Sequence, residues 1–271
     1  MERPDDTSAI DILERSRADW NREARNGCRW SIPVDEATIA RARAGDWEVV
    51  LTPNIPVPRD WFGDVSGSDV LCLASGGGQQ APILAAAGAR LTSFDLSEEQ
   101  LARDRLVADR ERLPVTCLRG NMADLSVLRD ESFDLIFHPV SNVFAEDVRP
   151  VWRECFRVLR PGGALLAGFI NPLFFLFDHD EALASGQLIV KYRLPYSDLT
   201  NPNPVAKERW LKSGEAVNFS HSLTAQIGGQ LAAGFVLVGF YEDDWADEVT
   251  PLNQHSPMYL ATRALKPAAA S

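Results

Sequence analysis

The sequence has few of the features that mark disulfide-rich or metal-binding proteins. Its 271 residues include 4 cysteines, Cys28, Cys72, Cys117 and Cys155, which are far apart and form no CxxC pair. This spacing argues against a disulfide framework and against a zinc site. We therefore expect buried thiols and no metal.

Long apolar runs are also absent. The longest, near residues 164–170, is much shorter than the roughly 20 residues that a membrane-spanning helix needs. Residues 1–6 lack the apolar region of a signal peptide. We therefore expect a cytoplasmic protein without a membrane partner.

Basic residues are in deficit. The sequence has 27 Lys and Arg against 38 Asp and Glu, which gives a formal net charge of −11, and no run of Lys or Arg is present. A phosphate backbone would need a basic face, so this charge argues against a nucleic-acid partner. Nothing in the composition indicates the oligomeric state.

The most informative segment is a glycine-rich loop that joins an apolar run to a helical pattern. Residues 70–73 have the composition of a buried strand, three glycines follow at 76–78, and residues 81–87 are typical of a helix. Glycines at such a turn allow backbone N–H groups to come close to a ligand. Asp95 ends the next apolar run, where a carboxylate can hold a ribose diol. Together these features predict a nucleoside cofactor.

Strand and helix patterns alternate from residue 70 onwards, which is typical of a parallel sheet. Ser97 begins a capping box that opens a helix. The Pro-Gly-Gly sequence at 161–163 is expected to stop a helix before the fifth strand. Predicted strands cover residues 70–73, 89–94, 115–118, 133–137, 164–169, 235–241 and 258–265, and predicted helices cover residues 12–26, 35–44, 81–87, 97–112, 148–159 and 223–233.

The predicted elements divide the chain into four parts. Residues 1–64 form an N-terminal helical cap segment, and residues 65–171 form the Rossmann-like, cofactor-binding half. Residues 218–271 provide the C-terminal part of the sheet. Between them, residues 172–217 are irregular and rich in aromatic side chains, which predicts a lid over the strand ends rather than a disordered loop.

Two nucleoside cofactors fit the glycine loop. From Gly76 to Ala81 the sequence satisfies G-x-G-x-x-A, and Asp95 lies 19 positions after Gly76, about where a dinucleotide fold places its ribose acid. An NAD(P)-dependent oxidoreductase is therefore one hypothesis.

Further motifs resemble the class I S-adenosylmethionine-dependent methyltransferases that act on small molecules. The resemblance implies a Rossmann-like, seven-stranded and mostly parallel sheet with an antiparallel last strand, helices on both faces, and a helical and aromatic cap. It also implies S-adenosyl-L-methionine as cofactor and methyl transfer to a small-molecule acceptor. The resemblance covers residues 65–170 and 219–265, and its motifs are residues 72–78, 118–125, 132–137 and 157–163.

Two residues depart from the family's first motif. Cys72 stands where the family has an acid at the strand end, and Ala74 replaces the first loop glycine. The acid helps to orient the methionine amino group in the family. We therefore expect loop backbone, including Ala74 and Gly76, to hold that end of the cofactor in this chain. A non-catalytic or repurposed member of the fold is a further hypothesis.

The resemblance also implies roles for individual residues. Asp95 would accept hydrogen bonds from the ribose hydroxyls, Asn121 or Asp124 would bind the adenine edge, and Met122 would pack on the ring face. The predicted cofactor-binding residues are Ala74, Ser75, Gly76, Gly78, Asp95, Leu96, Asn121, Met122, Asp124 and His138.

Two histidines are candidate catalytic residues. His138 ends the fourth strand, where such sheets bind ligands, and it could remove a proton from the acceptor or hydrogen-bond the methionine part of the cofactor. His221 precedes a helix and could act as a second acid–base group, or only cap and pack. The predicted substrate pocket comprises Trp20, Trp30, Ser141, Asn142, Phe174, Tyr192 and Tyr196.

Overall fold

A computed structural model describes residues 10–246 and 249–268 of the chain. In these residues a single sheet is surrounded by helices. The strands are β1 (Asp69–Leu73), β2 (Arg90–Asp95), β3 (Val115–Arg119), β4 (Phe133–His138), β5 (Leu159–Ile170), β6 (Val236–Asp243) and β7 (Tyr259–Leu265). The helices are α1 (Ile12–Arg25), α2 (Glu36–Arg43), α3 (Gln80–Ala86), α4 (Glu98–Glu111), α5 (Val148–Val158), α6 (His179–Ser185), α7 (Pro204–Ser213) and α8 (Gly229–Ala233).

The seven strands form one mixed sheet in the order β3-β2-β1-β4-β5-β7-β6. β1 to β5 pair in parallel, and β7 pairs antiparallel with both β5 and β6. The predicted fold class is confirmed. The strand order reverses between β1 and β4, which places a crevice at the carboxyl ends of these strands, where open α/β sheets bind ligands.

Both faces of the sheet are covered by hydrophobic clusters, because alternate residues of each strand point to opposite faces. In β1, Val70 and Cys72 pack with residues of α2, α3 and α4, whereas Leu71 and Leu73 pack with residues of α5. Trp152 of α5 is fully buried in the second cluster.

The structure differs from the sequence prediction at two of the predicted elements, and it adds the helices α6 and α7 within residues 172–217, which were expected to be irregular. β5 begins at Leu159 rather than at residue 164, because β4 pairs with Leu159 and then with Ala164, and residues 160–163 bulge out between them. The helix predicted over 223–233 is a π-helical turn (Thr224–Gly228) followed by the short α8. The indole N–H of Trp152 donates to the Ala225 carbonyl within this turn at 3.1 Å.

The N-terminal helix α1 contacts two distant parts of the chain. Toward α4, the side-chain amide nitrogen of Asn21 donates to the Glu98 carboxylate at 3.0 Å, and the side-chain oxygen Oδ1 of Asn21 accepts from the Ser97 hydroxyl at 2.7 Å. Toward the segment after α7, the Arg15 guanidinium donates to the Glu215 carbonyl at 2.6 Å. Helix α1 thus connects the sheet to residues 172–217. None of the helices in the described ranges is long and apolar enough to cross a membrane.

Candidate active site

A cavity of about 300 Å³ opens at the carboxyl ends of the strands. One part of its wall, which we call the strand side, comes from residues at or after the ends of β1, β2 and β3 and from the first turns of α3 and α4. The other part, the cap side, comes from the N-terminal segment, the loop after β4, the end of β5, the start of β7, and the positions 218 and 245. None of the described residues of 172–217, where the sequence predicted a lid, is on the wall. The strand side is Ala74, Ser75, Gly76, Gln80, Phe94, Asp95, Leu96, Gln100, Gly120, Asn121 and Met122. The cap side is Leu13, Ser16, Trp20, Trp30, Val50, Leu51, Thr52, Pro53, Pro139, Val140, Ser141, Val143, Phe144, Ala145, Ile170, Asn218, Trp245 and Tyr259.

The cavity brings together many, but not all, of the residues that the sequence suggested. On its wall are Ala74, Ser75, Gly76, Asp95, Leu96, Asn121, Met122, Trp20, Trp30 and Ser141. Outside the wall are Gly78, Asp124, His138, His221, Asn142, Phe174, Tyr192 and Tyr196.

The glycine loop packs closely against the N-terminal segment. Gly76 has a φ of +73°, and a Cβ there would lie 2.5 Å from the Trp30 carbonyl oxygen. The N–H of Gly77 donates to the same carbonyl at 3.1 Å. The glycines therefore permit a close approach by the protein's own backbone, in addition to the close approach by a ligand that the sequence suggested.

Gly78 lies behind the cavity rather than on its wall. Its N–H donates to the Asp104 carboxylate at 2.6 Å, and a Cβ there would lie 2.9 Å from Pro33 Cα. The carboxylate and the proline segment thus enclose this end of the loop.

Asp95 lies at the end of β2 with 9% of its surface exposed. One carboxylate oxygen accepts from the Ser97 N–H at 2.8 Å, and Ser97 is the N-cap of α4. Burial raises the pKa of Asp95 to about 7. It is the only charged side chain on the cavity wall in the described part of the chain.

The structure separates the two candidates for the adenine edge. Asn121 is on the strand side next to Met122, and its side-chain oxygen accepts from the Ala123 N–H at 3.0 Å. The Asp124 carboxylate accepts from the Ser126 N–H and is exposed outside the cavity. Only Asn121 is therefore positioned to contact a ligand there.

His138 is fully buried and faces α5 instead of the cavity. It shares the strand face of Ile136, and its ring meets Trp152 edge-on at 6.0 Å between centroids. Nδ1 donates to the Leu73 carbonyl at 2.9 Å. Burial lowers the pKa of His138 to about 4, so the ring is neutral at physiological pH. This geometry does not support the expected contact with acceptor or cofactor.

His221 holds the loop after β4 and also lies outside the cavity. Its Nε2 donates to the Asn142 carbonyl at 3.1 Å, and burial lowers the pKa of the ring. The Asn142 side chain exchanges two hydrogen bonds with the Gln226 amide at 3.0 and 3.1 Å. The side chains of His221 and Asn142 thus have partners within the protein, which fits the simpler interpretation of His221, that it caps and packs.

Three aromatic residues expected in the pocket instead hold residues 172–217 together. Phe174 stacks on His179 with 3.8 Å between centroids. The hydroxyls of Tyr192 and Tyr196 donate to Asp178 at 3.2 Å and Asp198 at 2.8 Å. Local partners within the segment therefore direct these side chains away from the cavity.

Three aromatic residues of the cap side, Phe144, Trp245 and Tyr259, were not among the pocket residues predicted from the sequence. Phe144 meets Trp20 edge-on at 5.3 Å, and Trp245 packs against Trp30 at 6.3 Å and Tyr259 at 5.3 Å between centroids. Trp245 follows β6 and Tyr259 begins the antiparallel β7, so both lie at the edge of the sheet where β1 ends. The predicted antiparallel last strand was the signal that could have located them.

Polar atoms of the strand side suit a ligand with a ribose and an amino-acid group. Neither the nitrogen nor the oxygen of the buried Gln100 amide has a hydrogen-bond partner among the described residues. Buried amides rarely lack partners, so a ligand that satisfies this one is expected. With the Asp95 carboxylate and the loop backbone, the residues present fit S-adenosylmethionine.

Comparison with known proteins identifies the family. Residues 71–167 match the family described as "Methyltransferase domain". The chain is 47% identical over 255 residues to the "Uncharacterized methyltransferase YbaJ" of Bacillus subtilis (strain 168), covering 94% of this chain and 98% of that protein. The chain belongs to the class I S-adenosylmethionine-dependent methyltransferases. Its cofactor is therefore S-adenosylmethionine rather than a nicotinamide dinucleotide.

Other relatives of this methyltransferase are more distant. A "Ubiquinone biosynthesis O-methyltransferase" of Xanthomonas oryzae pv. oryzae (strain PXO99A) is 28% identical over 154 residues, covering 56% of this chain and 64% of that protein. The crystal structure of an S-adenosylmethionine-dependent methyltransferase from Mesorhizobium loti has a TM-score of 0.59 and 22% identity, and it covers 76% of this chain and 94% of that one. This second likeness supports the fold.

Proposed function

We propose that this methyltransferase transfers a methyl group from S-adenosylmethionine to a small, uncharged and largely apolar acceptor. The composition of the cap side carries this proposal. Its wall is built from apolar and aromatic side chains with a few neutral polar groups, and Asp95 on the opposite side is the only charged wall residue of the described chain. An anionic acceptor would have no cationic partner there.

The aromatic side chains of the cap side favour a flat acceptor. Trp20 and Phe144 form one edge-on pair, and Trp30, Trp245 and Tyr259 form a second group. Aromatic side chains supply large, rigid and apolar contact areas, which suit planar apolar ligands. They also suit a sulfonium cation.

On the strand side, each group has a part of the cofactor to hold. Asp95 would accept from the ribose hydroxyls, Asn121 and Met122 would enclose the adenine, and the backbone of Ala74, Ser75 and Gly76 would hold the methionine end. S-adenosylmethionine supplies an electrophilic methyl group on a positively charged sulfur when it is bound. The residues of this chain bind and orient the two ligands and exclude water.

No histidine is available on the cavity wall to act as a base. His138 and His221 both lie outside it, and burial lowers the pKa of each ring. Orientation and exclusion of water can supply much of the acceleration of an in-line displacement. We therefore propose that the acceptor presents an uncharged atom whose lone pair is already free, such as the nitrogen of a neutral amine.

Two measurements test this proposal. Calorimetry with S-adenosylhomocysteine and, separately, with NADH should show binding of the first only. A metabolite extract incubated with a methyl-labelled donor should then give a labelled product that is small, uncharged and apolar by mass spectrometry and partition. Label found only in RNA, protein or anionic metabolites would contradict the proposed acceptor. Cofactor binding without any labelled product would favour a non-catalytic or repurposed member.

A further inference from the structure

A buried carboxylate lies beneath the glycine loop, outside the cavity. Asp104 of α4 has no exposed surface. One of its oxygens accepts from the Gly78 N–H at 2.6 Å, and the other accepts from the Ser93 hydroxyl at 2.6 Å. Buried charges are rare unless strong hydrogen bonds compensate them, so this arrangement points to a specific role.

The register of the sheet places this carboxylate beside the end of β1. Ser93, which holds one oxygen of Asp104, is the pairing partner of Cys72 in the parallel β1–β2 ladder. Cys72 is itself fully buried, and burial together with the nearby Asp104 charge raises the pKa of its thiol. Cys72 is therefore neutral, and the negative charge in this region is that of Asp104.

We infer that Asp104 is a positioning residue for the methionine end of the cofactor, and that it supplies from α4 the carboxylate that Cys72 cannot supply from β1. It acts through Gly78, whose N–H it holds. This inference rests on the cofactor positions proposed above.

The geometry explains why the effect should be local. The N–H of Gly77 is held by the Trp30 carbonyl and that of Gly78 by Asp104, so both ends of this dipeptide are fixed. Ser75 and Gly76, immediately before it, line the cavity. Asp95 lies at the end of β2, where it would hold the ribose, and the Asp104 carboxylate does not line the cavity. Loss of the Asp104 charge should thus disturb the methionine end more than the nucleoside end.

The experiment compares two ligands on the full-length protein. S-adenosylhomocysteine carries the amino-acid group, whereas 5′-methylthioadenosine has the same nucleoside and thioether without it. Asp104→Asn keeps the size of the side chain and removes its charge. We expect this variant to bind S-adenosylhomocysteine at least tenfold more weakly than the wild type does. Its affinity for 5′-methylthioadenosine should stay within twofold of the wild-type affinity. Calorimetry measures both affinities.

Ser93→Ala is the matched control, because it removes the other hydrogen bond of the same carboxylate and leaves its Gly78 contact. Since the Ser93 hydroxyl also lowers the pKa of Asp104, all affinities are compared at pH 8, where the carboxylate of the control is more fully ionised. Its affinities for both ligands should stay within threefold of wild type, even if its melting temperature falls as far as that of Asp104→Asn. Equal weakening of both ligands in Asp104→Asn, or unchanged affinity for S-adenosylhomocysteine, would overturn the inference. If the wild type does not bind S-adenosylhomocysteine, the proposed function fails instead.

A second variant tests whether the two positions are equivalent. Adding Cys72→Asp to Asp104→Asn returns a carboxylate to the strand end. We expect the double variant to bind S-adenosylhomocysteine at least threefold more tightly than Asp104→Asn alone. A folded double variant that recovers nothing would contradict the replacement of one acid by the other. If it does not fold, the comparison of Asp104→Asn with Ser93→Ala decides the question.

Discussion

The strand side of the cavity carries the polar side chains of Asp95, Gln100 and Asn121, whereas apolar and aromatic side chains form most of the cap side. On the strand side, Asp95 is held by the N-terminus of α4, and Asn121 by the turn that follows it. On the cap side, Trp20 and Trp245 come from segments more than two hundred residues apart. We therefore propose that the strand ends provide hydrogen-bonding groups for the cofactor, and that the cap side provides an apolar surface for the acceptor.

The two sides are nevertheless joined through the glycine loop. Gly76 belongs to the strand side and Gly77 follows it, and both lie directly against the Trp30 backbone. The side chain of Gln79 donates to the Arg29 and Ile32 carbonyls at 2.6 and 2.9 Å. Residues 29–32 of the N-terminal segment thus pack on the glycine loop, which is proposed to bind the cofactor. We therefore expect that a bound cofactor, by ordering the loop, also orders this segment.

The largest expected effect is a loss of cofactor affinity after a substitution on the strand side. Asp95→Ala should weaken binding of S-adenosylhomocysteine about tenfold to a hundredfold, since hydrogen bonds to a charged acceptor contribute about 1.5–3 kcal/mol. Calorimetry on the purified variant measures this change. Asp124→Ala is the control, because that carboxylate is exposed outside the cavity, and its affinity should equal that of the wild type. Unchanged affinity in a folded Asp95→Ala protein would rule out the ribose contact.

Substitution on the cap side should lower kcat/KM for the acceptor and leave cofactor affinity nearly unchanged. Trp20→Ala removes an aromatic wall and its contact with Phe144, so kcat/KM for the acceptor should fall about tenfold. Affinity for S-adenosylhomocysteine should stay within threefold. Tyr192→Phe, outside the cavity, is the control and should leave both quantities unchanged. A loss of cofactor affinity as large as the loss of kcat/KM would show that the two sides are not separable.

A smaller effect concerns pH. Because burial raises the pKa of Asp95 to about 7, its carboxyl group is mostly protonated in the free protein at pH 6. Ribose hydroxyls donate to the ionised form, so S-adenosylhomocysteine should bind about fivefold more tightly at pH 8 than at pH 6. Calorimetry across this range measures the slope. Asp95→Asn should flatten it, and an equally steep slope in that variant would assign the titration to another group.

The same pKa shift affects the stability of the free protein in the opposite direction: stability should fall, rather than rise, as the pH increases. The folded pKa of Asp95 lies above its unfolded value of 3.8, so the folded state holds the proton more tightly. The contribution of Asp95 to stability is therefore greatest at low pH and declines as the pH rises toward about 7. Asp104, whose pKa burial raises to about 6, acts in the same direction.

The smallest expected effect concerns the loop backbone. Ala74 has a φ of +48°, a left-handed conformation that disfavours any residue with a Cβ. Ala74→Gly should therefore raise the free energy of unfolding by up to about 1 kcal/mol, net of the greater chain entropy of glycine. Ala44→Gly, at a position with a φ of −80°, should lower it instead. Chemical denaturation of the two variants measures both changes, and destabilisation by Ala74→Gly would show that the methyl group makes needed contacts.

Much of the sheet could be predicted because its signals are local. Apolar runs bounded by turns located β1 to β4 to within one or two residues, and the Ser97 capping box located α4. The early start of β5 could not be found, because the bulge at 160–163 depends on pairing with β4. The π-helical turn before α8 contacts Trp152, which is distant in the sequence, so a local pattern does not report on it.

The strand side of the site was predictable for the same reason, and most of the cap side was not. Asp95 and Asn121 follow strands, so their position at the sheet edge follows from the topology. His138 also ends a strand, but successive side chains of a strand point to opposite faces of the sheet. The His138 side chain lies on the same face as that of Ile136, and the Phe137 side chain lies on the other face. Phe174 and Tyr196 were selected by composition alone, and composition does not distinguish internal packing from a pocket wall.

A crystal structure of the protein with S-adenosylhomocysteine tests the central claim most directly. The account predicts ribose hydroxyls on the Asp95 carboxylate, adenine beside Asn121 and Met122, and the amino-acid group on the backbone of Ala74 to Gly76. The sulfur atom should face the aromatic side chains of the cap side. Ribose bound away from Asp95, or an amino group held by a side-chain carboxylate from elsewhere in the chain, would contradict it.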